Sequence, residues 1–295
     1  MKRGVLIVLF CALAAAGASR AQDHNQGMSP VPGIARLHEL RLKADHVDPG
    51  RLCVHSIGQS HIDAAWKWRL SQTHEKVYDT WSQAIRYMDV FPEYTFSGSA
   101  PQYYEWILDE HPDLFAKIVE REKEGRWEIV GGQWIEPDGN MPDGESYVRQ
   151  RLLGQRFYLE HFGHLSEVEW MLDSFGYNRN LPQIVARSGA KYMWTSKLTW
   201  NDTTMFPFHN FWWRSPDGSQ VLTHICPIVP MPLYFPYAEL KKYKSARCLL
   251  KPGTTLVANY ATQPEVIKEA MSDDWLGEIG AFYGLGDGGL GPRKI

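Results

Sequence analysis

Cysteine is scarce in this 295-residue chain, which has four: Cys11, Cys53, Cys226 and Cys248. No two stand in Cys-x-x-Cys spacing, which excludes a zinc knuckle and a redox dithiol motif. A charge excess of one sign is missing as well. With 31 Lys and Arg against 34 Asp and Glu, the formal net charge is -3, so there is no basic surplus to hold nucleic acid or an anionic membrane. There is no internal repeat and no low-complexity segment, and beyond the first residues no apolar run is long enough to span a bilayer. The remaining composition, 44% hydrophobic and 22% charged, is that of a soluble globular protein with room for one large α/β domain or two small ones.

What is present begins at the N-terminus. Lys2 and Arg3 precede an apolar run from Val5 to Ala16, and Ser19 and Ala21 stand as small residues before Gln22. This pattern predicts a secretory signal peptide over residues 1–21 and hence a secreted or periplasmic protein, or one held in a lysosome or another secretory compartment of a eukaryote. Its removal leaves three cysteines, enough for one disulfide with one thiol over. Asn201-Asp202-Thr203 is a formal N-glycosylation acceptor. Residues 22–50 are polar and mixed, with a short helix expected from Ile34 to Lys43 as a lead-in, and the main folded domain is expected over 51–295.

Tryptophan is abundant, with 12 residues. An indole face matches the C–H face of a pyranose, so the count fits a sugar-binding protein. For any single Trp, filling the core is the commoner use.

From Arg51 the chain alternates strands and helices. Strands are expected at Cys53–Gly58, Tyr94–Gly98, Trp127–Gly131, Val168–Asp173 and Tyr192–Ser196. Between them Val77, Trp81, Ile85 and Met88 mark one helical face, a helical pair breaks near Pro112 and ends at Gly125, and Asp143 caps a helix carrying Val148, Leu152, Leu159 and Phe162 up to Gly163. A further helix starts at Pro182 and stops at Gly189. Phe211–Trp213 and Val221–His224 read as a hairpin around Pro216-Asp217-Gly218. A helix from about Pro264 to Met271 and a last strand from Ile279 to Leu285 complete the pattern. Repeated strand–helix units imply a parallel sheet or barrel.

Five features with chemical potential fall at the expected carboxyl ends of strands, so one fold would gather them on one face. In Gln59-Ser60-His61-Ile62-Asp63-Ala64-Ala65-Trp66, extended backbone would point His61 and Asp63 the same way. An imidazole and a carboxylate converging suit a zinc ion, although a plain hydrogen-bonded pair explains them alone. In Trp170-Met171-Leu172-Asp173-Ser174-Phe175-Gly176, a buried strand runs into an acid that is either catalytic or a cap for the next loop. Gly131-Gly132-Gln133-Trp134-Ile135-Glu136-Pro137-Asp138-Gly139-Asn140 offers an aromatic plate with polar partners, or simply a turn. Lys197 ends the fifth strand, with Trp200 and Asn201 close behind. Gly284-Leu285-Gly286-Asp287-Gly288-Gly289 matches a dinucleotide fingerprint formally, but too few residues follow for its helix and second strand, so that reading is rejected.

Together these segments resemble the N-terminal catalytic domain of glycoside hydrolase family 38, the class II α-mannosidases, from about Gly58 to His224 and again near Gly284. Glu145 to Phe157, Lys197-Leu198-Thr199-Trp200-Asn201-Asp202 and Phe211-Trp212-Trp213 extend the likeness. The resemblance implies an α/β fold built as a seven-stranded parallel β/α barrel and retaining hydrolysis of terminal α-linked mannose from oligosaccharides or glycans, through a covalent glycosyl-enzyme intermediate. It implies one zinc ion as cofactor, held by His61, Asp63 and Asp173. Asp173 is then also the nucleophile, Asp287 the general acid/base, Trp66 the ring that stacks on mannose, and Trp134 and Lys197 further substrate-side residues. Zinc would hold two adjacent sugar hydroxyls, and a cation beside Asp173 would suit the charge a nucleophile needs.

Two positions depart from the family pattern. Gln59 stands where a His is usual, and the family's last zinc-binding His lies downstream of the position of Asp287, with His209 and His224 as the nearest and structurally explicable substitutes. With its end at Ile295 the barrel is expected to be incomplete, with weakened zinc binding and low turnover. Two other readings stay open: a carbohydrate-binding remnant without turnover, and a different zinc-dependent polysaccharide hydrolase or deacetylase.

Overall fold

The computed structural model describes residues 53–199, 210–225 and 278–283. The signal peptide, the segment 22–50, Asn201, His209, the helix near Pro264, Asp287 and Cys11, Cys226 and Cys248 lie outside them.

Strands and helices alternate as the sequence pattern requires. Strand β1 (Cys53–Gln59) leads to helix α1 (Leu70–Val90), then β2 (Phe96–Gly98), α2 (Pro101–Glu110), α3 (Pro112–Lys123) and β3 (Trp127–Ile129). Helix α4 (Gly144–Phe162), β4 (Val168–Met171), α5 (Leu181–Arg187) and β5 (Tyr192–Thr195) follow, then β6 (Asn210–Arg214), β7 (Gln220–Ile225) and β8 (Glu278–Tyr283). One sheet has the order β3-β2-β1-β8 with every pairing parallel. The other has the order β4-β5-β7-β6, parallel except for the β6–β7 hairpin. The Gly131 amide donates to the Val168 carbonyl at 2.8 Å, which ties the end of β3 to the start of β4. The class is therefore α/β with parallel strands whose carboxyl ends face one way within each sheet.

Local chemistry explains the breaks. Pro112 has no amide proton to give and opens α3 rather than continuing α2. Asp143 caps α4 by accepting from the Ser146 amide at 2.8 Å, and Gly163 ends that helix in the left-handed region at φ 80°. On α1 the expected face of Val77, Trp81, Ile85 and Met88 is buried. It packs with Tyr104 and Trp127, whose indole N–H donates to the Tyr104 hydroxyl at 2.7 Å. Trp81, Trp127, Trp170 and Trp194 are all core residues, so much of the tryptophan content is packing.

The inner face of α4 differs from expectation. Val148, Leu152 and Leu159 are 46%, 54% and 53% exposed. The buried face instead carries Tyr147, Arg151, Gln155, Tyr158 and Phe162. Arg151 donates to the Gly131 carbonyl, to Ser188 and to Glu169, and Gln155 bonds both the amide and the carbonyl of Ser166. Polar partners supplied by distant strands turn this helix onto a face that apolar spacing does not mark. Gly154 lies where α4 meets the loop after β3: a Cβ there would come within 2.3 Å of the Gly132 carbonyl oxygen.

In the middle of β3, burial pushes the Glu128 carboxyl up to about 7, with Glu122 and Glu167 adding to the rise and His164 opposing it. A carboxyl whose folded pKa exceeds its unfolded value favours folding fully below the unfolded value and loses that contribution as pH rises through the folded one. Thermal melts should therefore show stability falling between roughly pH 4.5 and 7.5 by more in the native chain than in Glu128→Gln, where the slope flattens. Parallel slopes in the two proteins would contradict this.

Candidate metal centre

Four segments bring their side chains to one point at the strand ends. Beyond β1, Ser60-His61-Ile62-Asp63 alternates in burial, with Ser60 and Ile62 buried and His61 and Asp63 half-buried, and the Tyr103 hydroxyl fixes it by donating to the Ile62 carbonyl at 2.6 Å. Asp173 lies two residues past β4. Lys197 starts a short 3-10 turn after β5, and Glu136 comes from the loop after β3.

His61 sits at the centre. Its Nε2 is 3.3 Å from Asp63 Oδ1 and 3.9 Å from Asp173 Oδ2. Its Nδ1 is 3.3 Å from Glu136 Oε2. The other oxygen of Asp173 is 2.5 Å from Lys197 Nζ. Alternation along this segment thus places His61 and Asp63 on the same side.

Three carboxylates around one imidazole call for positive charge. Burial works against protonation of His61, but the hydrogen bonds to Asp63 and Glu136 and the charges of Glu136 and Asp173 outweigh it and push the imidazole up to about 10. Ligand atoms of His61, Asp63 and Asp173 all lie within 4.8 Å of one another. One nitrogen and two carboxylate oxygens converging in this way fit a divalent cation with N/O preference such as zinc.

The remaining expected residues are placed as follows. Trp66 is 56% exposed, edge-on to Trp68 and capped by Lys67 Nζ 4.2 Å from its ring centre. Trp134 is partly buried: it meets Phe157 edge-on and donates its indole N–H to Gln102 Oε1 at 2.8 Å. Gln59, at the departing position, is buried. His224 is buried on β7, its Nδ1 2.7 Å from Asn210 Oδ1 and its ring tilted against Trp194 with centroids 4.3 Å apart, and it is not among the three converging donors. Glu136 was inside a segment singled out in the sequence but had no role there; a carboxylate at a strand's carboxyl end was the available signal.

Residues 51–288 match the model of the glycosyl hydrolases family 38 N-terminal domain. The chain belongs to glycoside hydrolase family 38. It is 38% identical over 244 residues to an alpha-mannosidase of Saccharomyces cerevisiae, covering 82% of this chain and 20% of that relative. It is 39% identical over 264 residues to human alpha-mannosidase 2C1, covering 88% of this chain and 23% of the relative. The family 38 chain therefore spans about a fifth of the length of these relatives. Among solved structures, an alpha-mannosidase from Enterococcus faecalis V583 superposes with a TM-score of 0.60 at 15% identity, over 83% of this chain and 26% of that one. A 4-alpha-glucanotransferase from Thermococcus litoralis shares the fold at a TM-score of 0.54 and 16% identity, over 80% and 34%.

Proposed function

We propose that this family 38 chain carries the nucleophile-bearing part of a zinc-dependent α-mannosidase site that acts on terminal α-linked mannose of oligosaccharides or glycans. The observation behind this reading is the convergence of His61, Asp63 and Asp173 beside Lys197. Membership of family 38 and the naming of its relatives as alpha-mannosidases support it. In this reading the seven parallel strands of the two sheets, all but β6, belong to one barrel, and residues 1–21 direct export to a secreted or periplasmic location.

His61, Asp63 and Asp173 would hold the ion. When bound, zinc supplies a Lewis-acidic anchor for two adjacent sugar hydroxyls. Asp173 attacks the anomeric carbon from the face opposite the leaving oxygen, so that a C–O bond to its carboxylate forms as the glycosidic bond breaks. The leaving oxygen takes a proton from Asp287, which we assign as the general acid. The same group then accepts a proton from water as the water attacks the anomeric carbon and releases Asp173. Two inversions give net retention. Lys197 keeps a positive neighbour 2.5 Å from one oxygen of the nucleophile. Trp66 offers the sugar an exposed aromatic face.

Metal loading provides a test. Zinc at a hundredfold over its dissociation constant should stabilise the chain by about 2.7 kcal/mol, seen as a rise in Tm that a chelator reverses. His61→Ala should abolish the rise. Equal Tm values for native and His61→Ala chains with and without zinc would sink the metal assignment.

A further inference from the structure

Glu136 uses both of its oxygens, and each serves a different strand end. Oε1 accepts from the Asp173 amide at 2.6 Å, the Ser174 amide at 2.9 Å and the Ser174 hydroxyl at 3.2 Å. Oε2 lies 3.3 Å from His61 Nδ1. The loop that carries Glu136 is itself pinned. The Trp134 and Ile135 amides donate to the backbone carbonyl and side chain of Gln150 on α4, and the Pro137 carbonyl accepts from the Ser174 hydroxyl at 2.8 Å. One carboxylate thus joins the segment after β1 to the segment after β4.

The nitrogens of His61 have separate tasks. Nε2 is the atom facing Asp63 and Asp173, so it is the one available to a cation. An imidazole that ligates through Nε2 carries its proton on Nδ1, and that proton needs an acceptor. Glu136 is on the far edge of the ring from the converging donors, so it is placed as the acceptor and not as a further ligand.

We propose that Glu136 is the positioning residue of the metal centre: it holds His61 in the tautomer that presents Nε2, and through the Asp173 and Ser174 amides it sets the nucleophile's carboxylate against the same point. This inference rests on the reading of His61, Asp63 and Asp173 as a metal site.

The test compares the full 295-residue chain with Glu136→Gln and His61→Ala. Zinc dissociation constants are measured by competition with a chromophoric chelator, and cobalt(II) is added as a spectroscopic probe. Glutamine keeps an oxygen for the two amides but turns an N–H₂ toward Nδ1, which drives the ring proton to Nε2. The apo Tm of Glu136→Gln should stay within roughly 2 °C of native, with zinc affinity down about 10- to 100-fold and the cobalt ligand-field bands shifted. Zinc affinity within twofold of native would overturn the proposal. A native chain that binds zinc no better than His61→Ala would overturn the metal site itself, and the inference with it. Should Glu136→Gln fail to fold, long-range ¹H–¹⁵N spectra of the zinc-loaded native chain decide. His61 ligated at Nε2 with a proton on Nδ1 is expected, and ligation through Nδ1 would refute the inference.

Discussion

Replacing Asp173 with Ala is expected to lower the hydrolysis of a dinitrophenyl α-mannoside by on the order of 10⁴-fold, the scale on which removing a covalent nucleophile acts. The activated leaving group is chosen because it departs without a proton, so the loss reports the two roles of Asp173, attack and metal ligation, and not proton donation; the azide product then separates the attack from the ligation. Asp173 follows a fully buried strand, and its amide is fixed by Glu136 at 2.6 Å. Its oxygens are divided between Lys197 at 2.5 Å and His61 at 3.9 Å. Nothing else among the described residues places a carboxylate at both a cation and a candidate metal site. Azide added to Asp173→Ala should attack the anomeric carbon directly, expelling dinitrophenolate and giving the inverted β-mannosyl azide. A variant that retains even a tenth of native activity, or gives no azide product, would speak against Asp173 as nucleophile.

The largest effect on stability is expected from Arg151→Met, a loss of about 3–5 kcal/mol, the usual cost of leaving a buried charge without its partner. The side chains of Arg151 and Glu169 are 1% and 0% exposed. Arg151 bonds Glu169, gives 2.9 Å to the Gly131 carbonyl and 2.7 Å to Ser188, while Gln133 donates to the same carboxylate. Burial pushes Glu169 up to about 7 against the opposing pull of Arg151 and Gln133. Without the guanidinium, the strand must bury a charge or a proton-bearing acid that has lost its main partner. Changing Glu169 as well, to Met, should recover at least about 2 kcal/mol, because a paired removal leaves less uncompensated charge than a single one. Denaturant melts of the native chain, both single variants and the double variant would measure the coupling. A single-variant loss under about 0.5 kcal/mol would place the pair with ordinary surface substitutions. The loop from Gly131 to Glu136 hangs on this network, so Arg151→Met should weaken zinc binding too.

Much of this architecture was legible in the sequence where one physical rule acts locally. The α1 face and the β6–β7 hairpin follow from apolar spacing and from the turn Pro216-Asp217-Gly218. His61 and Asp63 were legible because period two in an extended segment needs no tertiary information. Helix α4, its Asp143 cap and its Gly163 stop were legible, but three of the four apolar residues that marked it are exposed, because its buried face mixes aromatic rings with Arg151 and Gln155. Arg151 and Gln155 find partners on β4, on the β3 loop and at Ser166 and Ser188, and no local pattern announces partners so distant in sequence. Glu136 was hidden for a related reason: its segment reads as a turn, and its role appears only when the ends of β1 and β4 meet it. Trp134 reads in the sequence as an aromatic plate with polar partners; in the fold its ring meets Phe157 edge-on and its N–H finds Gln102.

The most direct test of the proposed site is covalent trapping. A fluorinated mannosyl fluoride carries its own leaving group and slows the second step, so it should esterify the nucleophile whether or not Asp287 assists. Incubated with the zinc-loaded full chain, it should add one fluoromannosyl unit to the intact mass, and peptide mapping should place that unit on Asp173. The adduct should vanish in Asp173→Ala and fall sharply after chelation. An adduct on Asp63 or Glu136, or none at any zinc concentration that saturates the site, would contradict the account.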